Sequence, residues 1–149
     1  MHRMLLSRFL GFFFIAFAAT AVMADDRQDV EAFVAQFKQA VADGNLDGIL
    51  AMNVWTGLPD AQRSAIENTF SDIIQKGMLK IMVDYIKDGK SIEFRKKDRV
   101  FAPNLPPLAK IYVEINTGKD FRGGYSYYIG RDDGALRFAN VVLKPNAAD

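Results

Sequence analysis

The stretch YSYYIGRDDGALRFANVVL, Tyr125 to Leu143, reads as two strands around Asp133-Gly134. An Asp-Gly pair between alternating apolar residues is a strong signal for a two-residue hairpin turn, because both positions tolerate positive φ. A turn there pairs Ile129 with Phe138, Tyr127 with Asn140 and Tyr125 with Val142. All six share one face, since successive pairs are two residues apart. Asn140 is then the odd polar group among Leu136, Phe138 and Val142. Either it is a buried amide satisfied by a tyrosine hydroxyl or water, or it forms with Tyr127 a polar pair lining a pocket.

Upstream, Ile111, Val113 and Ile115 alternate with Lys110, Tyr112, Glu114 and Asn116, which predicts a strand with one face on a core. Pro103, Pro106 and Pro107 mark a loop before it. Ser91 to Phe101 suits a strand, with Ile92, Phe94 and Val100 interrupted by the charged run Arg95 to Arg99, and Asp88-Gly89 reads as the turn leading into it. Leu79 to Ile86 fits both an alternating strand (Leu79, Ile81, Val83, Tyr85) and a helical stripe (Leu79, Met82, Val83, Ile86). The strand is preferred.

The N-terminal half is helical. Val30, Phe33, Val34, Phe37 and Val41 recur at helical spacing, with Asp26 and Asp29 ahead of them near the positive end of the helix dipole. Gly44 supplies a left-handed stop and Asn45 a cap for a short stripe of Leu46, Ile49 and Leu50. Pro59-Asp60 opens a third helix, on which Ile66, Phe70, Ile73 and Ile74 share a face up to Gly77. Helices followed by antiparallel strands predict an α+β fold in which a curved sheet wraps the helices.

The corner from Phe37 to Met52, with ADGNLDGIL running from Ala42 to Leu50, resembles the opening of nuclear transport factor 2-like proteins. These form the cone-shaped, cystatin-like superfamily that includes ketosteroid isomerases. The resemblance spans most of Val30 to Leu143 and implies a pocket at the open end of a cone. The lining it implies here is Trp55, Tyr85, Tyr125, Tyr127, Phe138 and Asn140, an apolar wall with a few polar tips. Aromatic residues on inward faces also serve as plain filler. A ketosteroid isomerase needs oxyanion donors and an Asp base, and none of those positions transfers onto this chain.

Arg3 and Arg8 precede the apolar run Phe9 to Ala19, and small residues follow at Ala21 and Ala24. That is the pattern of a secretory signal peptide, cleaved after Ala24 or, second choice, after Ala21. The apolar segment falls short of the roughly 20 residues of a membrane span, so no anchor is expected after cleavage. Residues 25–149 then form one domain in the periplasm or outside the cell. The chain has no cysteine, and its one histidine, His2, lies in the leader. The mature chain is close to neutral once Arg3 and Arg8 are gone, which argues against nucleic acid. Asp132-Asp133-Gly134 and Asp43-Gly44-Asn45 lack the spacing of a calcium loop, so no metal or cofactor is expected. Gly123-Gly124 suits a bulge or a close strand approach. Lys87, Lys90, Arg95, Lys96, Lys97 and Arg99 suit either a face for anionic lipid or an acidic partner or, the preferred reading, a solvated edge strand protected by charge.

Together these features predict an exported, non-catalytic domain that binds a hydrophobic small molecule or an envelope protein. The alternatives are an isomerase or hydratase-like enzyme with a carboxylate beside a tyrosine in the pocket, and an adaptor that dimerises through an outer sheet face bearing Tyr112 and Tyr128. Export is checked by sequencing the N-terminus of protein recovered outside the inner membrane. The expected first residues are Asp25-Asp26, and an intact Met1 on exported material contradicts the leader.

Overall fold

The computed structural model describes residues 10–87, 90–118 and 123–145, with side chains from residue 25 onward. Three helices, α1 (Leu10–Ala42), α2 (Leu46–Ala51) and α3 (Asp60–Lys76), precede seven strands. The strands are β1 (Met78–Tyr85), β2 (Phe94–Lys96), β3 (Arg99–Pro103), β4 (Pro107–Ile115), β5 (Gly123–Asp132), β6 (Ala135–Ala139) and β7 (Val141–Leu143). They form a four-stranded antiparallel sheet, β1-β4-β5-β6, and a three-stranded one, β2-β3-β7. The architecture is the expected α+β cone, helices held against a curved antiparallel sheet.

All five residues of the α1 stripe are buried, with Val30 and Phe37 fully so. Gly44 ends α1 at φ 64°, and the Asn45 side chain accepts from the Gly48 N–H, as the cap requires. On α3, Phe70 and Ile73 are completely buried. These side chains meet the inward face of the sheet, where Ile111, Val113 and Ile115 of β4 lie beside Ile81 and Val83 of β1 and Tyr125 and Tyr127 of β5. Phe138 sits at the centre. Its ring is 5.0 Å from Phe33 and 5.2 Å from Phe37, both edge-on, and it also contacts Phe70 and Tyr127. The interior of the cone is thus filled with aromatic rings from both layers.

The Leu79 to Ile86 stretch is a strand, β1, whose inward set of Ile81, Val83 and Tyr85 is half-buried. The closing hairpin has the expected turn, with Asp133 at φ 46° and Gly134 at φ 82°, and Ile129 pairs with Phe138. Gly124 is the close approach anticipated for that glycine pair. A Cβ there would lie 2.3 Å from the Val113 carbonyl oxygen.

Several expectations are corrected or fall outside the described residues. The pairs Tyr127–Asn140 and Tyr125–Val142 do not form. β6 ends at Ala139, and Val142 pairs with Ala102 of β3 instead. From Asn140 on, the chain is held instead by bonds to Asn53, Val54 and Asn104 and by pairing with β3. Ser91 to Phe101 is not one strand but the hairpin β2–β3, because Lys97 takes φ 55° and reverses the chain between Lys96 and Arg99. The first helix does not begin near Asp26. It runs unbroken from Leu10, since nothing in the apolar segment before Asp25 breaks a helix. The Asp88-Gly89 turn lies outside the described residues, as do residues 1–9, the start of the expected leader.

Asp26 and Asp29 instead both accept from the Arg131 guanidinium, at 2.7 and 2.8 Å, while Arg27 stands over the Tyr85 ring at 5.0 Å. The α1 turn that follows the proposed cleavage point is therefore tied to the sheet by its own side chains. No helix among the described residues is long and apolar enough to cross a membrane. Replacing Phe138 with Ala removes the ring on which both layers converge. The expected loss is about 3–5 kcal/mol, read from urea unfolding of the variant against the parent.

Candidate functional site

Where β6 would continue alongside β5, the chain leaves the sheet at Asn140 and a cleft of about 220 Å³ opens. Gln62, Ile66 and Thr69 of α3 form one wall, Tyr125 to Tyr128 of β5 the floor, and Ala139 to Val141 the other wall. The three α3 residues are at helical spacing, on the flank of the Ile66–Phe70–Ile73 stripe that faces the core.

The walls are braced by hydrogen bonds that span the cleft. The buried Tyr127 hydroxyl donates to Thr69 Oγ1 at 3.1 Å, and Thr69 donates in turn to the Ile66 carbonyl at 2.8 Å. The Tyr127 ring stacks on Phe70 at 4.8 Å and 13°. Gln62 Nε2 donates to the Val141 carbonyl at 2.8 Å, holding the departing strand against α3. At the rim, the Tyr125 hydroxyl donates to Asp72 Oδ2 at 2.7 Å, and Asp72 is also bridged by Lys76 at 2.9 Å.

Electrostatics move the titrations of these groups away from neutral pH. Burial pushes the Tyr127 phenol far above its ordinary range. The hydrogen bond to the Asp72 carboxylate, helped by burial, raises Tyr125. Lys76 first, then Tyr125, hold Asp72 below the usual carboxylate value. Near neutral pH the cleft therefore presents two neutral phenols with an anionic carboxylate at its edge, and these groups stay in one protonation state as pH varies around 7.

The six residues implied by the resemblance do not converge. Tyr125, Tyr127 and Asn140 line the cleft. Phe138 is fully buried behind it, among Phe33, Phe37 and Phe70. Tyr85 ends β1, opposite Ala109, under the Arg27 guanidinium. Trp55 lies in the α2–α3 connection and donates from Nε1 to the Leu50 carbonyl at 3.2 Å. Asn140 is a bonded corner rather than a partner of a tyrosine. Its Nδ2 donates to the Val54 carbonyl at 3.0 Å and to Asn53 Oδ1 at 3.3 Å, and its N–H donates to Asn104 Oδ1 at 2.9 Å. Of the outer-face tyrosines, Tyr128 is partly covered by Phe94 at 6.2 Å and Lys110 at 5.9 Å.

Gln62, Thr69 and Asp72 were not among the candidates, because only the apolar stripe of α3 was read as facing the interior. The available signal was the Gln62–Ile66–Thr69 spacing, which borders the apolar stripe. A carboxylate does stand beside a tyrosine hydroxyl, as the enzyme alternative requires, but Asp72 is at the rim, partly exposed and neutralised by Lys76. Among the described residues no three His, Cys, Asp or Glu side chains come together to hold a metal ion.

No protein-family model and no curated protein matches this chain. Solved structures similar to it include a designed nuclear transport factor 2-like protein. That one is 10% identical over 79% of this chain and 99% of its own, with a TM-score of 0.43. Another is a putative calcium/calmodulin dependent protein kinase II association domain from Xanthomonas campestris, 18% identical over 81% of this chain and 88% of its own, with a TM-score of 0.38. Neither likeness carries an activity to this chain.

The Tyr125–Asp72 bond has a titration consequence. In the Tyr125→Phe variant the Asp72 carboxyl is expected to titrate at higher pH than in the parent, closer to an ordinary aspartate though still lowered by Lys76. Carboxyl-carbon NMR across the acid range checks this, and an unchanged Asp72 titration removes the bond from solution.

Proposed function

We propose that this chain is an exported, non-catalytic binding domain whose ligand enters the lateral cleft between α3 and β5, not the interior of the cone. The observation that carries the reading is the aromatic filling. Phe33, Phe37, Phe70, Tyr127 and Phe138 occupy the space where a cone-shaped fold would hold a ligand. The cleft beside them is below the roughly 300–1,000 Å³ of drug-sized pockets. It suits an apolar group of about one ring or one side chain against Ile66 and the tyrosines.

Binding is favoured over catalysis by the state of the titratable groups. Proton transfer near neutral pH is fastest from groups whose pKa lies near 7. The tyrosines here are raised and the aspartate is lowered, both away from that point. Export is supported by the Arg3, Arg8 and Phe9–Ala19 pattern.

The site is tested by titrating p-cresol, a one-ring probe with a polar tip, into the isotope-labelled domain. NMR shifts are expected at Ile66, Thr69 and Tyr127, with Phe33 and Phe37 unmoved. Shifts centred on Phe33 and Phe37 instead would mean that the cone opens, and would overturn the placement.

A further inference from the structure

The floor of the cleft is an interrupted hydrogen-bond ladder. In a hairpin closed by a two-residue turn, the flanking pair exchanges hydrogen bonds and every second pair does so thereafter. Starting from Asp132–Ala135, the bonded pairs are Asp132–Ala135, Gly130–Arg137 and Tyr128–Ala139. The next residue of β5 facing that way is Ser126, followed by Gly124. Their would-be partners have left, since Val141 pairs with Pro103 and Val142 with Ala102. Among the described residues no strand pairs with β5 on this side before Tyr128. Tyr125 and Tyr127, facing the other way, are paired with Val113 and Ile111. Ser126 is exposed and lines the cleft, as expected of a residue whose backbone faces it.

We infer that this gap accepts an extended peptide of a partner protein, which adds to β5 antiparallel at Ser126 and continues the ladder that β6 abandons. The inference rests on the reading of the cleft as the binding site and names its ligand class. Main-chain N–H and C=O groups at Ser126 and Gly124 supply the affinity, as in other strand additions. The peptide residue opposite Ser126 points its side chain to the outer face. Its two neighbours, opposite Tyr125 and Tyr127, point toward Ile66 and Thr69. There the volume fits a branched aliphatic side chain, and the phenol of Tyr127 is already bonded to Thr69. Uncharged β-branched residues at alternate positions are therefore the expected motif. A single amide-bearing small molecule with a compact apolar group would satisfy only part of this ladder.

The probe is the blocked peptide Ac-Val-Thr-Val-Thr-NH2, whose threonines fall opposite Ser126 and Gly124 in this register because Tyr128 is already taken by Ala139. It is compared with the same peptide N-methylated at both threonines. Amide hydrogen exchange of the domain is followed by NMR. In the free protein Ser126 is expected to exchange faster than Tyr125, Tyr127 and Tyr128. The unmodified peptide slows it, and the methylated one binds at least about tenfold more weakly, since both ladder donors are lost. A Ser126 amide already protected in the free domain would overturn the inference. So would an exchange rate untouched by millimolar peptide, or equal binding of both peptides. If p-cresol moves Ile66 and Thr69 while the peptide leaves Ser126 unchanged, the cleft stands and strand addition falls. If the peptide slows Ser126 while p-cresol moves nothing, the edge stands and the small-ligand reading falls.

Discussion

Asn140 is buried, and a buried amide without partners is costly. Its side chain donates to the Val54 carbonyl and to Asn53, and its backbone is bonded in both directions to Asn104, whose own side chain reaches back to Val54 and Thr56. This network lies on the side of the strand away from β5. At this point the chain stops pairing with β5, after Ala139, and turns into the second sheet, where Val141 and Val142 pair with β3. The cleft, the exposed edge at Ser126, the seat of β7 on β3 and the bond from Gln62 to Val141 all follow from that one displacement.

The aromatic core and the corner divide the work between them. Phe138, two residues before the corner, is the last inward residue that contacts α1 and α3 together. The parallel bridge between Asn53 and Phe138, with Phe138 N–H to the Met52 carbonyl at 2.7 Å and Val54 N–H to the Phe138 carbonyl at 3.1 Å, locks the α2–α3 connection to the same strand. The ring fixes how deep β6 sits, and the buried amide after it anchors the segment where β6 ends. A filled interior and an open flank are therefore two consequences of one short segment, Phe138–Ala139–Asn140.

What the sequence made legible follows local physics. Helical spacing located the buried residues of α1 and α3, the Asp133-Gly134 turn set the register through Ile129 and Phe138, and strict alternation exposed β4. What stayed hidden depends on partners distant in sequence. Asn140 reads as a misfit in an alternating strand because its acceptors, Val54 and Asn53, are contributed by a connection with no periodicity of its own. Thr69 reads as surface until Tyr127 is placed above it. The Ser91 to Phe101 hairpin was missed because Lys97, which takes positive φ, carries no glycine or asparagine signal. The six candidate residues were drawn from a cone with an empty interior, and the packing of Phe33 and Phe37 against Phe138 separates them.

An open strand edge ordinarily invites uncontrolled pairing with other sheets, and folds blunt such edges with charge, bulges or cover. The two sheets of this domain manage their edges differently. β2 is short and carries Arg95 and Lys96, with Lys97 beside it, all solvated. The open part of β5 carries no such charge and ends in glycines, but it is recessed between α3 and the Asn140 corner. A folded sheet approaching it would meet the wall of Gln62 and Ile66, whereas a single extended segment needs only the cleft itself and the opening of the Gln62–Val141 bond. Recessing the edge therefore excludes bulky partners by shape while leaving the main-chain groups of Ser126 available, the combination a selective strand acceptor requires.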